Sequence, residues 1–465
     1  MRTGLRLLPR ILRPLLGATL AAVVGVSGGV ACKPRVPSGA PGSATAMGHW
    51  DAWRDLSPFI DVARTHAAKP AIEALEDASV LLREGKARSA DKRLAEAADA
   101  SGRHWIAVAR AHVAALHFET CIRGVAWRLA EGSAPSPTER EIDFSEETRI
   151  APGDVSVEAL LTNLDPALSS DMPALVTQAR IARARVAAFA QRCAANEEVG
   201  DLAQRTVESD LAILAAEGHL TPDLAYLWAG VQMNRFSGSA ARPFLLQARE
   251  GGFDHPAVTF MLAVIALEER DLDKADTLAE EAGSAYASFG DHENAAEALF
   301  VRGEVARARG DRKKARELFN ATLKQSPLHL PSMLAIAGLV HANRGEYEAV
   351  DYLHGRLPVL LRKGPLDERA AHEAASNLET LVILATEPVM AQLSRDALLQ
   401  EIDQEPDPMR RGLRYFYAAT LDVRLREYEV AHGHGVLARE ELESSDVRPP
   451  IDVQSFLDRL TGTTR

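Results

Sequence analysis

Apolar residues recur at intervals of three and four along nearly the whole chain after residue 50. This spacing places them on one side of an α-helix, whereas a half-buried strand would alternate apolar and polar residues. Long alternating runs of Val, Ile, Thr and Tyr are missing from the sequence, and most glycines and prolines fall between the periodic segments. The pattern therefore predicts an all-α chain.

The clearest predicted unit is a pair of helices in residues 296–327, AEALFVRGEVARARGDRKKARELFNATLKQSP. Gly310 and Asp311 separate the two helices, because glycine accepts the left-handed conformation at a helix end and aspartate caps the next helix. Gly303 and Ala315 are small residues at positions where the two helices must approach closely. Phe319 then fills the space one turn further on, and Pro327 prevents the second helix from continuing.

A similar arrangement returns in residues 331–357. Gly338, Gly345 and Val350 stand 35 residues after Gly303, Gly310 and Ala315 respectively. Weaker copies of the second helix occur at residues 85–98, 270–282 and 425–438. A recurring helix pair indicates a repeat architecture in which each unit buries its apolar face against the next.

The best unit resembles the tetratricopeptide repeat, a helix-turn-helix unit of about 34 residues. Gly303, Ala315, Phe319 and Pro327 stand where that family has its glycine, alanine, aromatic residue and proline. The resemblance implies an α-solenoid of stacked antiparallel helix hairpins, a tetratricopeptide-like superhelix. It also implies a concave groove, lined by the first helices, that holds a protein or peptide segment. The groove residues that it implies are Glu297, Phe300, Glu304, Arg307, Ser332, Ala335 and Leu339.

The pattern divides the chain into consecutive segments. N-terminal helical repeats are expected over 49–130, followed by an acidic Pro/Ser loop over 131–158 and degenerate repeats over 159–257. The best repeat units occupy 258–360, and residues 361–465 hold further degenerate repeats and a final capping helix. The loop is polar and aperiodic, which favours disorder over a functional loop.

The N-terminus has the order of a secretory signal over 1–31: four arginines without an acid, an apolar run from Leu15, and the small residues SGGVA. Cys32 follows at once, so that GVAC resembles the lipobox of bacterial lipoproteins, in which the cysteine is acylated. Residues 32–48 then form a flexible tether rich in Pro, Gly, Ser and Ala. This predicts a lipid anchor on the periplasmic face of the outer membrane. Ordinary cleavage after Ala31, giving a soluble periplasmic protein, is the alternative.

Cys121 and Cys193 are the two cysteines that remain after Cys32. In an exported protein they form either one disulfide or two buried thiols, and the sequence leaves both alternatives open.

Charge and motifs restrict the chemistry. The net charge of -12 becomes -16 when the four arginines of the signal are removed, which argues against nucleic acid as a partner. The phosphate-binding, hydrolase and zinc-protease motifs are absent from the sequence, and no cofactor or metal is expected. His432 and His434 stand two apart, which points them away from each other on a helix. The glycines beside them are expected to loosen the end of a helix.

These observations together predict a non-catalytic scaffold for protein–protein interaction, attached to the membrane only through its N-terminal lipid. A carbohydrate-capturing lipoprotein on the same scaffold is the alternative. Trp50 and Trp53, three residues apart, would be its aromatic platform, although packing of these rings onto the helical stack is favoured.

Overall fold

The structure is a computed structural model that describes residues 56–84, 86–97, 102–115, 157–190, 197–235, 238–253, 255–288, 290–362 and 366–463. Every regular element within those ranges is helical, as the apolar spacing predicted. They fall into two compact units, with the boundary between Leu262 and Ala263. We call these the N-terminal unit and the C-terminal unit.

Several sequence predictions concern residues outside these ranges. They include the signal, Cys32, the tether, Cys121, Cys193 and Trp50 with Trp53, so lipidation and cysteine pairing stay predictions. The predicted loop over 131–158 also lies there, apart from its last two residues, which already belong to a helix that starts at Val157.

Paired helices build the N-terminal unit. Neighbours along the chain pack on each other, α2 with α3, α7 with α8, and α9 with α10. The helices are α1 (Ser57–Ala63), α2 (Lys69–Arg83), α3 (Ala87–Glu96), α4 (103–115), α5 (Val157–Thr162), α6 (Asp165–Leu168), α7 (Pro173–Ala190), α8 (Glu197–Glu217), α9 (Pro222–Arg235), α10 (Gly238–Glu250) and α11 (Pro256–Glu268), which crosses the boundary.

The C-terminal unit continues the same plan with longer helices. From α12 to α16 each helix packs against the next, and α19 to α22 do likewise. The helices are α12 (Leu272–Ser288), α13 (His292–Ala308), α14 (Arg312–Gln325), α15 (Leu330–Arg344), α16 (Glu346–His354), α17 (Leu357–Leu360), α18 (Glu368–Leu384), α19 (Pro388–Leu399), a 3-10 turn at Ile402–Gln404, α20 (Pro408–Leu425), α21 (Tyr428–Glu443) and α22 (Val453–Thr463).

Where the structure describes the whole connection, as from α13 to α16, a short turn reverses the chain and consecutive helices run antiparallel. Each unit is therefore an all-α stack of helix hairpins, the arrangement found in an α-solenoid. The capping helix predicted near the C-terminus is α22, which packs on α21. Within the ranges that the structure describes, no helix has the length and apolar character needed to cross a membrane.

The turn between α13 and α14 has the predicted chemistry. Gly310 adopts a φ of +83°, and the N-H of Asp311 donates to the carbonyl of Ala306 at 2.9 Å. The Asp311 carboxylate then accepts a bond from the N-H of Lys314 at 2.9 Å. Together these bonds satisfy main-chain groups that both helix ends would otherwise leave without partners. Helix α14 ends at Gln325, two residues before Pro327.

Other hairpins use the same turn without glycine. Arg270 and Arg426 have φ values of +69° and +66°. The next N-H in each turn bonds back five residues, from Asp271 to Ala266 and from Glu427 to Asp422, at 2.9 Å in both cases. The turn geometry is therefore common to several hairpins. Gly290 and Asp291 repeat the glycine–aspartate pair, with a φ of +74° at Gly290, whereas the turns at Arg270 and Arg426 lack a glycine signal in the sequence.

Close contact between α13 and α14 depends on Gly303. A Cβ atom at this position would lie 2.4 Å from Cε1 of Phe319. Phe319 and Ala315 are both fully buried, and the Phe319 ring packs on Phe300 with centroids 5.5 Å apart. The predicted roles of Gly303, Ala315 and Phe319 thus agree with the packing that is observed.

The next repeat has a register different from the one that the glycines suggested. Gly338 has no atom within 4 Å of a Cβ built on it, and Val350 is only half-buried. The fully buried small residues are instead Ala337 and Ala349, which lie 34 residues after Gly303 and Ala315. Only small residues on the side of a helix that faces its neighbour lie in the helix–helix contact. The predicted distance of 35 residues between equivalent positions, through Gly338, Gly345 and Val350, is therefore corrected to 34 residues.

We predict opposite effects for the same substitution at two glycines. Gly303→Ala should destabilise the protein by about 1–3 kcal/mol, because the new methyl group overlaps the Phe319 ring. Gly338→Ala should leave stability unchanged or raise it by up to about 1 kcal/mol, because it removes a helix-interior glycine in open space.

Urea unfolding followed by circular dichroism measures both variants. Tryptophan fluorescence is an internal control, since the described tryptophans, Trp105 and Trp228, lie in the N-terminal unit and no tryptophan follows residue 262. Equal destabilisation by the two substitutions would contradict the 34-residue register.

Candidate functional site

The predicted groove residues of α13 follow one side of that helix. Glu297, Phe300, Glu304 and Arg307 are spaced by three, four and three residues, which aligns them along the helix. Phe300 and Glu304 are only 2% and 6% exposed, whereas the side chains of Glu297 and Arg307 are 21% and 31% exposed. The accessible part of this face is therefore polar and carries both signs of charge.

Helix α15 contributes the other predicted residues. Ser332 is fully buried and Leu339 is 7% exposed, while Ala335 is half-buried. Of the seven residues that the resemblance implied, the structure leaves three partly accessible, namely Glu297, Arg307 and Ala335. Ligand binding by this face stays a prediction.

His329 joins the two helices, and the sequence alone did not single it out. It precedes α15, and its Nδ1 atom accepts a bond from the N-H of Ser332 at 3.2 Å. Its Nε2 atom lies 3.1 Å from Oε1 of Glu297 on α13. The ring also packs on Phe300, with centroids 5.1 Å apart. His329 therefore caps α15 and anchors the α13 carboxylate at the same time.

These contacts determine which imidazole nitrogen carries the proton. Nδ1 accepts a main-chain N-H, so in the neutral ring the proton is on Nε2, which donates to Glu297. The Ser332 hydroxyl is also close to Nδ1, at 2.9 Å, which gives a serine–histidine–glutamate sequence of contacts. However, Ser332 is fully buried and its own N-H occupies the Nδ1 lone pair. The cluster is a helix cap, because its serine is neither accessible nor free to transfer a proton to the ring.

Glu304 and Arg307 form an ion pair one turn further along α13. Nε of Arg307 lies 3.0 Å from Oε1 of Glu304, and its Nη2 contacts Oε2. Burial lowers the pKa of Arg307, but the adjacent Glu304 carboxylate outweighs that effect and the net pKa is raised. The pair gives the nearly buried carboxylate of Glu304 a counter-charge and hydrogen-bond partners.

The two histidines of HGHG have a different setting from the predicted loose helix end. His432 and His434 both lie within α21. Gly435 is buried in the same helix, and a Cβ atom at this position would lie 2.8 Å from Cδ2 of Leu457 on α22. His434 donates through Nδ1 to the fully buried Asp422 at 2.7 Å, and Arg395 approaches the other Asp422 oxygen at 3.3 Å. These partners come from three helices and were not predicted.

A second buried polar cluster lies in the N-terminal unit. Asp223 accepts two bonds from Arg185, at 2.9 and 3.1 Å, and Nδ1 of His112 lies 3.4 Å from the same guanidinium. His112 is 5% exposed, and its Nε2 atom has no hydrogen-bond partner. Burial and the nearby charge of Arg185 together lower the pKa of His112 to about 3, although Asp223 opposes the shift.

No group of three or more His, Cys, Asp or Glu side chains suited to a metal occurs in the ranges that the structure covers. The tryptophans described there serve packing. Trp105 is 3% exposed and lies 5.5 Å from the Phe59 ring, while Trp228 packs edge-on against Phe244 at 6.3 Å.

Comparison with known proteins gives little beyond this geometry. No protein-family model matches the chain, and no curated protein does. Among solved structures, the crystal structure of the APC/C hetero-tetramer Cut9-Hcn1 is similar over 90% of this chain and 88% of that chain, with 12% identity and a TM-score of 0.21. So low a TM-score carries no argument, and the description as an all-α protein of stacked helix hairpins rests on the hairpin turns and the α13–α14 contact.

We predict that two similar-sized replacements of His329 differ in stability. Asparagine and aspartate both cap helices well, but His329→Asp places a second carboxylate beside Glu297. The aspartate variant should be less stable than His329→Asn by about 1–2 kcal/mol at pH 7, from like-charge repulsion in a buried setting.

Chemical unfolding at pH 7 and pH 4 checks this difference. In the His329→Asp variant, repulsion between the new carboxylate and Glu297 raises the folded-state pKa of these two groups. The loss of stability is therefore present above that pKa and disappears as the pH falls. If the difference between the two variants did not change with pH, the pairing of His329 with Glu297 would be refuted.

We also predict that His112 makes the N-terminal unit sensitive to acid. The folded-state pKa of about 3 lies below the ordinary value of about 6.5. Between these values the unfolded chain binds the extra proton, so stability decreases as the pH falls. His112→Gln should reduce that dependence by up to about 1.4 kcal/mol per pH unit.

Tryptophan fluorescence during urea unfolding between pH 7 and pH 4 measures the effect in this unit. His219→Gln is the matched control, because His219 is an exposed histidine of the same unit. A similar change in both variants would exclude His112 as the source of the acid sensitivity.

Proposed function

We propose that the chain is a non-catalytic scaffold that holds a protein or peptide segment against the face formed by α13 and α15. The observation that carries this proposal is the partly exposed row of Glu297, Arg307 and Ala335. A row of this kind on the first helices of successive hairpins offers spaced anchor points to an extended segment.

Rigid support for the row strengthens the proposal. His329 fixes Glu297 at 3.1 Å, and Glu304 holds Arg307 in place. Ordered side chains lose less conformational entropy on binding, so a partner meets a pre-organised surface. The mixture of an acid, a base and a methyl group suits a peptide with both charged and apolar side chains.

The cellular setting that we propose comes from the N-terminal sequence. The signal-like residues 1–31, the lipobox-like Cys32 and the tether to residue 48 support an exported lipoprotein on the periplasmic face of the outer membrane. The net charge of -12 disfavours nucleic acid and suits a partner with a basic surface. The described tryptophans pack within the protein and give no support to carbohydrate capture.

Site-specific photo-crosslinking in cells tests the scaffold proposal. A photoreactive residue at Arg307 should crosslink to a defined protein, whereas one at the exposed Glu317 of α14 should not, because Glu317 is outside the proposed face. Identical products from both positions, or none from Arg307, would contradict binding at this face.

Mass spectrometry of the mature N-terminus tests the proposed anchor separately. We expect a lipid-modified Cys32 as the first residue of the mature protein. The Cys32→Ala variant should be released into the soluble fraction, because the acylated N-terminus is the proposed attachment to the membrane. An unmodified terminus that begins at Cys32 would show ordinary cleavage and rule out the lipoprotein.

A further inference from the structure

A cleft of about 360 Å³ lies in the C-terminal unit, between the end of α16, α17, the 3-10 turn and the start of α20. One part of its wall is apolar, formed by Leu357, Pro358, Leu361 and Pro406. The remainder is polar and is dominated by arginines. Its volume is within the range of sites that bind small organic molecules.

Arg414 is the unusual member of this wall. Only 4% of the residue is exposed, and burial lowers the pKa of its guanidinium. Nε donates to the carbonyl of Leu398 at 2.7 Å and Nη2 donates to that of Gln400 at 2.6 Å. A guanidinium has five N-H donors, and within the described residues Nη1 of Arg414 has no hydrogen-bond acceptor and the group has no carboxylate partner.

The other two arginines of the cleft have acidic neighbours. Arg362 pairs with Glu373 at 2.7 Å. Arg410 lies 3.6 Å from Glu405 and 3.9 Å from Asp407. Glu405 and Glu401 oppose the lowering of the pKa of Arg414 through charge attraction, but among the described residues neither forms an ion pair with it, so the Nη1 donors of Arg414 stay available to a ligand.

Two glutamates limit the charge of a suitable ligand. Glu401 and Glu405 also line the cleft, so a dianion such as phosphate would meet repulsion once Arg414 had been neutralised. A single carboxylate meets less repulsion from these glutamates than a dianion does, and it matches the planar fork of a guanidinium. The apolar wall then suits a short hydrocarbon body attached to it.

We propose that this cleft binds an organic monocarboxylate with a short apolar body, whose carboxylate pairs with Arg414. The carboxylate could belong to a free organic acid or to the C-terminal residue of a peptide, and both share this chemistry. The proposal is independent of the scaffold function, since the cleft and the α13–α15 face use different helices.

Isothermal titration calorimetry on the full chain with hexanoate tests the proposal, with hexanamide as a neutral probe of equal size. We expect hexanoate to bind at least about tenfold more tightly than hexanamide, and inorganic phosphate to give no binding heat. N-acetyl-alanyl-leucine carries the same carboxylate on a peptide, so tighter binding of that probe would identify a chain end as the source. Equal affinity for hexanoate and hexanamide would overturn the role of charge.

Arg414→Met should weaken hexanoate at least about tenfold, to the level of hexanamide. Arg424→Met is the matched control, because Arg424 also donates to two main-chain carbonyls, of Val382 and Ala385, but is exposed and outside the cleft. Gln404→Trp, at an exposed position of the lining, should fill the cleft and weaken hexanoate similarly without removing a buried contact. Unchanged affinity in a folded Gln404→Trp protein would overturn the proposed location.

Discussion

The structure depends on one close contact, between the backbone of α13 at Gly303 and the ring of Phe319 on α14. With Cε1 only 2.4 Å from the position of a Cβ, no other residue fits at Gly303 without displacing the ring. Ala315 permits the same approach from the other helix. Once these helices are in contact, Phe300 packs on the Phe319 ring and His329 packs on Phe300, and the start of α15 is fixed as a result. Local packing in one hairpin thus orients the first helix of the next hairpin.

Apolar periodicity was sufficient to predict the helical class, and Gly310 with Asp311 predicted the α13–α14 turn, because those features depend on residues close together in sequence. The register of the next repeat was misjudged, because Gly338 and Gly345 are conspicuous in sequence while Ala337 and Ala349 make the contact. A glycine is visible in sequence whichever side of the helix it faces. Only the packing shows which small residue is enclosed.

The polar contacts were largely unpredictable for a different reason. His329 and Glu297 are 32 residues apart, and Asp422 and Arg395 are 27 apart. No local pattern connects such partners, and histidine is not a usual helix cap. Arg302 likewise pairs with Asp276 and Glu280 on α12. Neighbouring helices are therefore joined by specific ion pairs in addition to apolar contacts.

The hairpin turns also imply an order of assembly. At Gly310 the left-handed conformation is accessible to the isolated chain, whereas Arg270 and Arg426 adopt it at a cost of about 1–2 kcal/mol. The α13–α14 hairpin can therefore form from local interactions, while the hairpins around Arg270 and Arg426 require neighbours already in place to hold their turns. We expect folding of the C-terminal unit to nucleate at its best-formed repeat and to spread outward to both sides.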